Sequence, residues 1–158
     1  MRPAGPARLS DFASKFADEL VTVQNGEFQD TDLHSLAGVK YWAFYYSASW
    51  CPPCRAFTPS LVSFYKQFKP SHPNFELVFV NDDQNEDDML KYMTGDDMPW
   101  PAVRFAETRT TDVRKYCGDG IPCLVLTDAT GTVISDTYRG GQYMGPEVVV
   151  DDIKTMVK

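Results

Sequence analysis

Residues 39–48 read VKYWAFYYSA, an apolar and aromatic run with no polar alternation. Such a run predicts a central strand buried on both faces. Phe75–Val80, FELVFV, predicts a second buried strand. Between the two the period changes. From Cys51 to Phe68 the residues Phe57, Leu61, Phe64 and Phe68 recur on one helical face. Pro52 and Pro53 suit the first turn of that helix, which needs no internal N–H bonds, while Pro59 falls inside it and predicts a kink.

Upstream, Ser10 precedes a pattern with Phe12, Phe16 and Leu20 at helical spacing, which predicts an amphipathic helix over Asp11–Leu20. Val21–Gln24 followed by Asn25-Gly26 predicts a short strand and a hairpin. Thr31 or Asp32 caps a short helix ended by Gly38. Downstream, a helix is expected around Asp87–Met93, a rigid turn-rich loop over Gly95–Val103, and a short helix over Thr111–Tyr116. Cys123–Thr127 and Thr132–Thr137 are expected to form a hairpin around Gly131, and Glu147–Val157 a closing helix. The order of elements predicts an α/β fold: a mixed central sheet with helices on both faces.

At 158 residues the chain has the length of one domain. Pro3, Gly5 and Pro6 suggest a flexible arm over residues 1–9, leaving 10–158 as the folded unit. A net charge of −7 argues against nucleic acid as partner. No apolar run approaches a membrane span, and no targeting segment is visible. A cytoplasmic monomer without membrane association is expected, unless an export signal has been processed away. Four cysteines, Cys51, Cys54, Cys117 and Cys123, are too few for a disulfide-dense scaffold.

Two of them carry the strongest chemical signal. Trp50-Cys51-Pro52-Pro53-Cys54-Arg55 follows a buried strand and opens a helix. The free N–H groups and dipole of a helix N-terminus favour a thiolate at Cys51 and lower its pKa. Cys54, one turn later, can attack a mixed disulfide formed at Cys51 and release the substrate. Arg55 follows the pair, and its long side chain could add positive charge there or equally point to solvent. A zinc site using all four cysteines fits less well, because Cys117 and Cys123 lack the usual short spacing and Cys51 opens a helix after a strand. Gly120-Ile121-Pro122-Cys123-Leu124 places a proline directly before an apolar strand. Such an X-Pro bond is a candidate cis peptide, and the residues alone do not decide its isomer.

The WCPPC after a buried strand, Pro59 eight positions beyond the first cysteine, and the Ile-Pro before a hairpin strand resemble the thioredoxin superfamily. The string Phe44–Pro59, the Met98-Pro99-Trp100 loop with Ala102-Val103, and Gly120-Ile121-Pro122 resemble its tryparedoxin and nucleoredoxin branch, over about residues 30–140. The resemblance implies a thioredoxin-like fold with an N-terminal extension and an insertion around 82–110. It makes Cys51 the nucleophile and Cys54 the resolving thiol. It also groups Trp50, Pro52, Pro53, Arg55, Trp100, Ile121 and Pro122 with the substrate site. Pro122 would be a cis-proline against the disulfide, Ile121 would pair with an extended substrate, and Trp100 would stabilise the extra loop. No cofactor or metal is needed. Implied partners are disulfide-containing proteins such as peroxidases, and a low-molecular-weight dithiol or a reductase as electron donor. A redox-sensitive binding regulator of nucleoredoxin type, and an oxidase or isomerase, stay open beside the reductase.

Two departures from the resemblance matter. Many thioredoxins carry a buried Asp six positions before the first cysteine, and here that position is Tyr45, whose phenol cannot serve as a ready base at neutral pH. Pro101 and Arg104 also depart from the branch's usual loop. Elsewhere, Cys123 is expected to turn into the core as a small hydrophobe. A second disulfide to Cys117 would require the two α-carbons to lie within about 7 Å. The acidic run over 82–88 lacks an EF-hand's glycine and closing glutamate and is expected to be solvated. His34 and His72 are expected at the surface.

Overall fold

The computed structural model describes residues 8–158. Residues 1–7 of the expected arm lie outside the described residues, and Leu9 already packs against a buried cluster. The elements in order are α1 (Asp11–Ser14), β1 (Leu20–Gln24), β2 (Glu27–Asp30), β3 (Tyr41–Ser47), α2 (Pro52–Phe68), β4 (Phe75–Asn81), α3 (Glu86–Gly95), β5 (Ala102–Val103), β6 (Cys123–Asp128), β7 (Val133–Asp136), β8 (Tyr138–Arg139), β9 (Gln142–Tyr143) and α4 (Glu147–Met156). Short 3₁₀ turns fill Ala17–Glu19, Leu33–Leu36, Lys69–Ser71, Phe105–Glu107 and Asp112–Tyr116.

Seven strands form one sheet in the order β2-β1-β5-β4-β3-β6-β7. The pairs β3–β4 and β4–β5 are parallel, and the remaining pairs are antiparallel. The parallel β3–β4 pair requires a crossover, and α2 supplies it. Both strands are buried on both faces, so alternate side chains feed two cores. Ala43, Tyr45, Leu77, Phe79, Leu124 and Leu126 meet the helices α2, α3 and α4 on one face. Trp42, Phe44, Tyr46, Val78, Val80 and Val125 meet α1 and the 3₁₀ turns on the other.

Three expectations need correction. The first helix stops at Ser14, and Leu20 instead opens β1, opposite Val103 of β5. Phe12, Phe16 and Leu20 are all buried as their spacing implied, but one turn is a marginal helix and sheet pairing takes the rest of the segment. The Gly95–Val103 loop contains β5, which sits between β1 and β4. The small β8–β9 hairpin was not anticipated, although Gly140 and Gly141 at its turn both have positive φ. By contrast, Asn25-Gly26 turns the β1–β2 hairpin with both residues at positive φ, as read from the chain. No helix among the described residues is long and apolar enough to cross a membrane.

Candidate active site

β3 runs directly into the site. After Ser47 the chain turns through Ala48–Trp50 and enters α2 at Pro52, with Cys51 as its N-cap. The Cys51 sulfur accepts a hydrogen bond from the Cys54 amide at 3.3 Å, using one of the free N–H groups at the helix start. Pro52 and Pro53 occupy the first turn without losing a helical bond. Cys51 and Cys54 are joined as a disulfide with α-carbons 5.2 Å apart. Cys54 is fully enclosed, whereas Cys51 keeps a small exposed area of 5%. An attacking thiol therefore reaches Cys51 first.

The Ile121–Pro122 peptide is cis, and the Ile121 carbonyl oxygen lies 3.8 Å from the Cys51 sulfur. Ile121 packs against Ala48, Cys51 and Cys54, and Pro122 is buried beside it. Trp50 stands out at 60% exposure, its indole N–H donating to the Asp82 carbonyl. Pro53, Asp119, Gly120, Ile121, Tyr138 and Tyr143 line an open cleft of about 430 Å³ next to the disulfide. The unanticipated β8–β9 hairpin thus supplies one wall. Arg55 is exposed and acts electrostatically on Asp96. Trp100 does not belong with the substrate-facing residues. It is fully buried, edge-on to Tyr45 and Tyr65 in the core, and anchors the loop from inside.

Behind Cys54 lies a hydroxyl network that the chain pattern did not reveal. The Thr58 hydroxyl donates to the Cys54 carbonyl at 2.9 Å. Its single proton is then committed, so Tyr45 at 2.6 Å and Tyr92 at 2.7 Å must both donate to it. Ser47 in turn donates to the Tyr92 oxygen at 2.7 Å. Burial pushes the Tyr45 phenol far above its usual pKa, with Tyr92 adding to the effect, and burial likewise raises Tyr92. Both phenols stay protonated, and neither is a base for Cys54. This agrees with the reading of Tyr45 from its position.

The acidic run is only partly solvated. Asp83 is buried and accepts from the Ser49 amide and hydroxyl and from the Asn81 side chain. It ties the loop before Cys51 to the end of β4. The available signal was an Asn-Asp-Asp sequence directly after a buried strand whose parallel neighbour carries the cysteines. Cys117 and Cys123 lie apart from the disulfide, in the opposite core. Among the described residues, no group of three or more His, Cys, Asp or Glu side chains converges as a metal site would require.

Comparison with known proteins gives a consistent picture. A family model described as thioredoxin-like matches residues 38–133. Probable nucleoredoxin 1 of Arabidopsis thaliana is 41% identical over 96 residues, covering 60% of this chain and 16% of that protein. Tryparedoxin of Trypanosoma brucei brucei is 41% identical over 113 residues, covering 70% of this chain and 76% of that protein. The crystal structure of native tryparedoxin I from Crithidia fasciculata superposes with a TM-score of 0.68 at 36% identity, covering 91% of this chain and 94% of that one. The chain spans less than a third of the length of the nucleoredoxins it matches.

Proposed function

The chain belongs to the thioredoxin-like family, in its nucleoredoxin and tryparedoxin branch, and from that premise we propose that it reduces disulfides in protein substrates. The observation that carries this reading is the asymmetry of the pair: Cys51 at the helix N-terminus, reachable and facing the Ile121 carbonyl, with Cys54 enclosed behind it.

In the proposed reaction the reduced protein presents Cys51 as a thiolate, favoured by the Cys54 amide and the helix dipole. It attacks one sulfur of the substrate disulfide, forming a mixed disulfide and expelling a substrate thiolate. The enclosed Cys54 sulfur then attacks Cys51, closing the internal disulfide and releasing the second substrate thiolate. Two electrons pass from the protein dithiol to the substrate. The Cys54 proton passes to the substrate thiolate expelled first, and the thiolate released last takes up from solvent the proton that Cys51 gave up on ionising. A low-molecular-weight dithiol or a reductase reverses the sequence and recharges the protein.

The extended substrate would lie along Ile121, with Trp50 as an exposed apolar lip and the cleft beside Pro53 receiving flanking side chains. Disulfide-containing proteins such as peroxidases are the proposed acceptors. The unit doing this work is the domain over residues 10–158, in a reducing compartment such as the cytoplasm. Reduction of insulin disulfides tests the assignment: Cys51→Ser should lose it entirely, and normal turnover by that variant would end the proposal. Because much of the similarity is to short stretches of nucleoredoxins, a partner-docking regulator is the competing reading. It predicts stable capture of a partner with negligible turnover by the intact dithiol.

A further inference from the structure

Two features flank Cys51. The cis-proline loop brings the Ile121 carbonyl to its sulfur, and Trp50, the residue before it, projects from the surface. So exposed a ring gains little from packing, and its polar anchor is the hydrogen bond from its indole N–H to the Asp82 carbonyl at 3.1 Å. Asp82 lies between β4 and α3, and its amide donates to the Ser47 carbonyl at 2.9 Å. The carrier of Trp50 is therefore a loop of another element, and what holds that loop holds the ring.

Arg114 reaches this loop from the 3₁₀ turn at Asp112–Tyr116. Its Nη1 meets the Asp82 carboxylate at 2.9 Å. Its Nε and Nη2 both donate to the Thr108 carbonyl, at 2.9 and 2.7 Å. The guanidinium carbon sits 5.8 Å from the centre of the buried Tyr46 ring. The two charged side chains are 26% and 29% exposed, so the pair is only partly open to screening by salt. A planar fork fixed on three sides in this way has no equivalent in the single ammonium of lysine. The chain beyond Arg114 runs through Cys117–Gly120 directly into Ile121 and cis-Pro122. One ion pair thus links the support of Trp50 to the segment that enters the cis-proline loop.

We infer that Arg114 is a positioning residue for protein substrates: through Asp82 it holds Trp50 in the orientation that an extended substrate meets beside Cys51. The inference rests on the proposed disulfide reductase. It assigns Arg114 no contact with the reacting sulfurs. A small disulfide, which needs no docking lip, is therefore indifferent to it, while a protein disulfide is not. Asp83 holds the same loop from within, accepting from the Ser49 amide and hydroxyl and donating its own amide to Asn81. If those bonds sufficed, the ion pair would be dispensable.

Arg114→Met and Asp82→Ala separate the two cases. Asp82→Ala is the cleaner change, because it removes the carboxylate and keeps the carbonyl that Trp50 uses. In both variants nitrogen-15 relaxation should show the Trp50 indole N–H becoming mobile. The indoles of Trp42 and Trp100, both fully buried, should stay rigid and report an intact fold. The KM for insulin should rise about fivefold, as loss of a partly exposed ion pair implies, with kcat unchanged. Turnover of glutathione disulfide should match wild type, and the double variant should raise KM no further than Arg114→Met. An unchanged Trp50 signal, an unchanged KM for insulin, or an equal loss with both disulfides would overturn the inference. Failure of wild type to reduce either disulfide would end the reductase reading and the docking role with it, while the relaxation data would still show whether the ion pair holds Trp50.

Discussion

Cys51 and Cys123 stand near the same end of two adjacent central strands, β3 and β6, where Tyr46 pairs with Cys123. Their surroundings differ in kind. Cys51 has left the ladder and caps a helix, so its sulfur meets a backbone amide and the surface. Cys123 remains in the ladder, and its side chain enters the core cluster that also holds Tyr46, Val113 and Val125. The backbone turn at the end of a strand, and not the residue type, decides which cysteine is offered to a substrate. The largest effect that tests this contrast compares the two regions directly. Cys117→Ser should retain insulin reduction under conditions where Cys51→Ser abolishes it, and equal losses would erase the distinction.

The next effect concerns what holds Cys54 in place. Thr58 is the common acceptor for two buried phenols and the donor to the Cys54 carbonyl. Thr58→Val would leave the Tyr45 phenol without its acceptor, while Tyr92 can turn its hydroxyl to Ser47, and should destabilise the protein by about 2 kcal/mol in denaturant unfolding. Tyr45→Phe removes one donor and leaves nothing orphaned, so about 1 kcal/mol is expected. Because the Tyr45 phenol stays protonated, this variant should keep the wild-type pH profile of disulfide reduction. A displaced profile would show that Tyr45 exchanges protons during turnover.

The smallest effect lies far from the disulfide, in the β6–β7 turn. Asp128 accepts from the Thr130 hydroxyl and amide and from the Thr132 amide. These bonds, the Thr130 hydroxyl's first, hold its pKa below the usual range. Its contribution is present above the unfolded pKa of about 3.9 and is lost as pH falls through the lower folded value. At this exposed site Asp128→Ala should cost under about 1 kcal/mol at neutral pH. The difference from wild type should vanish in strong acid, as followed by thermal unfolding.

What was legible in the chain follows the same division. β3, β4, α2 and the WCPPC junction could be read because each is specified within its own residues, by a continuous apolar run, a helical period or a cysteine spacing. β5 and the β8–β9 hairpin are two-residue strands, too short to carry a period, and only their neighbours define them. Asp83 looked solvated because its partner Ser49 meets it only once β3 and β4 lie side by side. The Thr58–Tyr92–Ser47 network and the burial of Trp100 depend in the same way on contacts between distant elements. Phe12, Phe16 and Leu20 show the intermediate case: their spacing correctly marked burial, while pairing with β5 overrode the helix.

The central claim is that Cys51 alone meets the substrate and Cys54 releases it. Cys54→Ser should stall after the first step, so incubation with a disulfide-bonded protein, followed by non-reducing peptide mapping, measures it directly. A substrate cysteine linked to Cys51 is the predicted result. A link to Cys117 instead, or no link at all, would contradict the account.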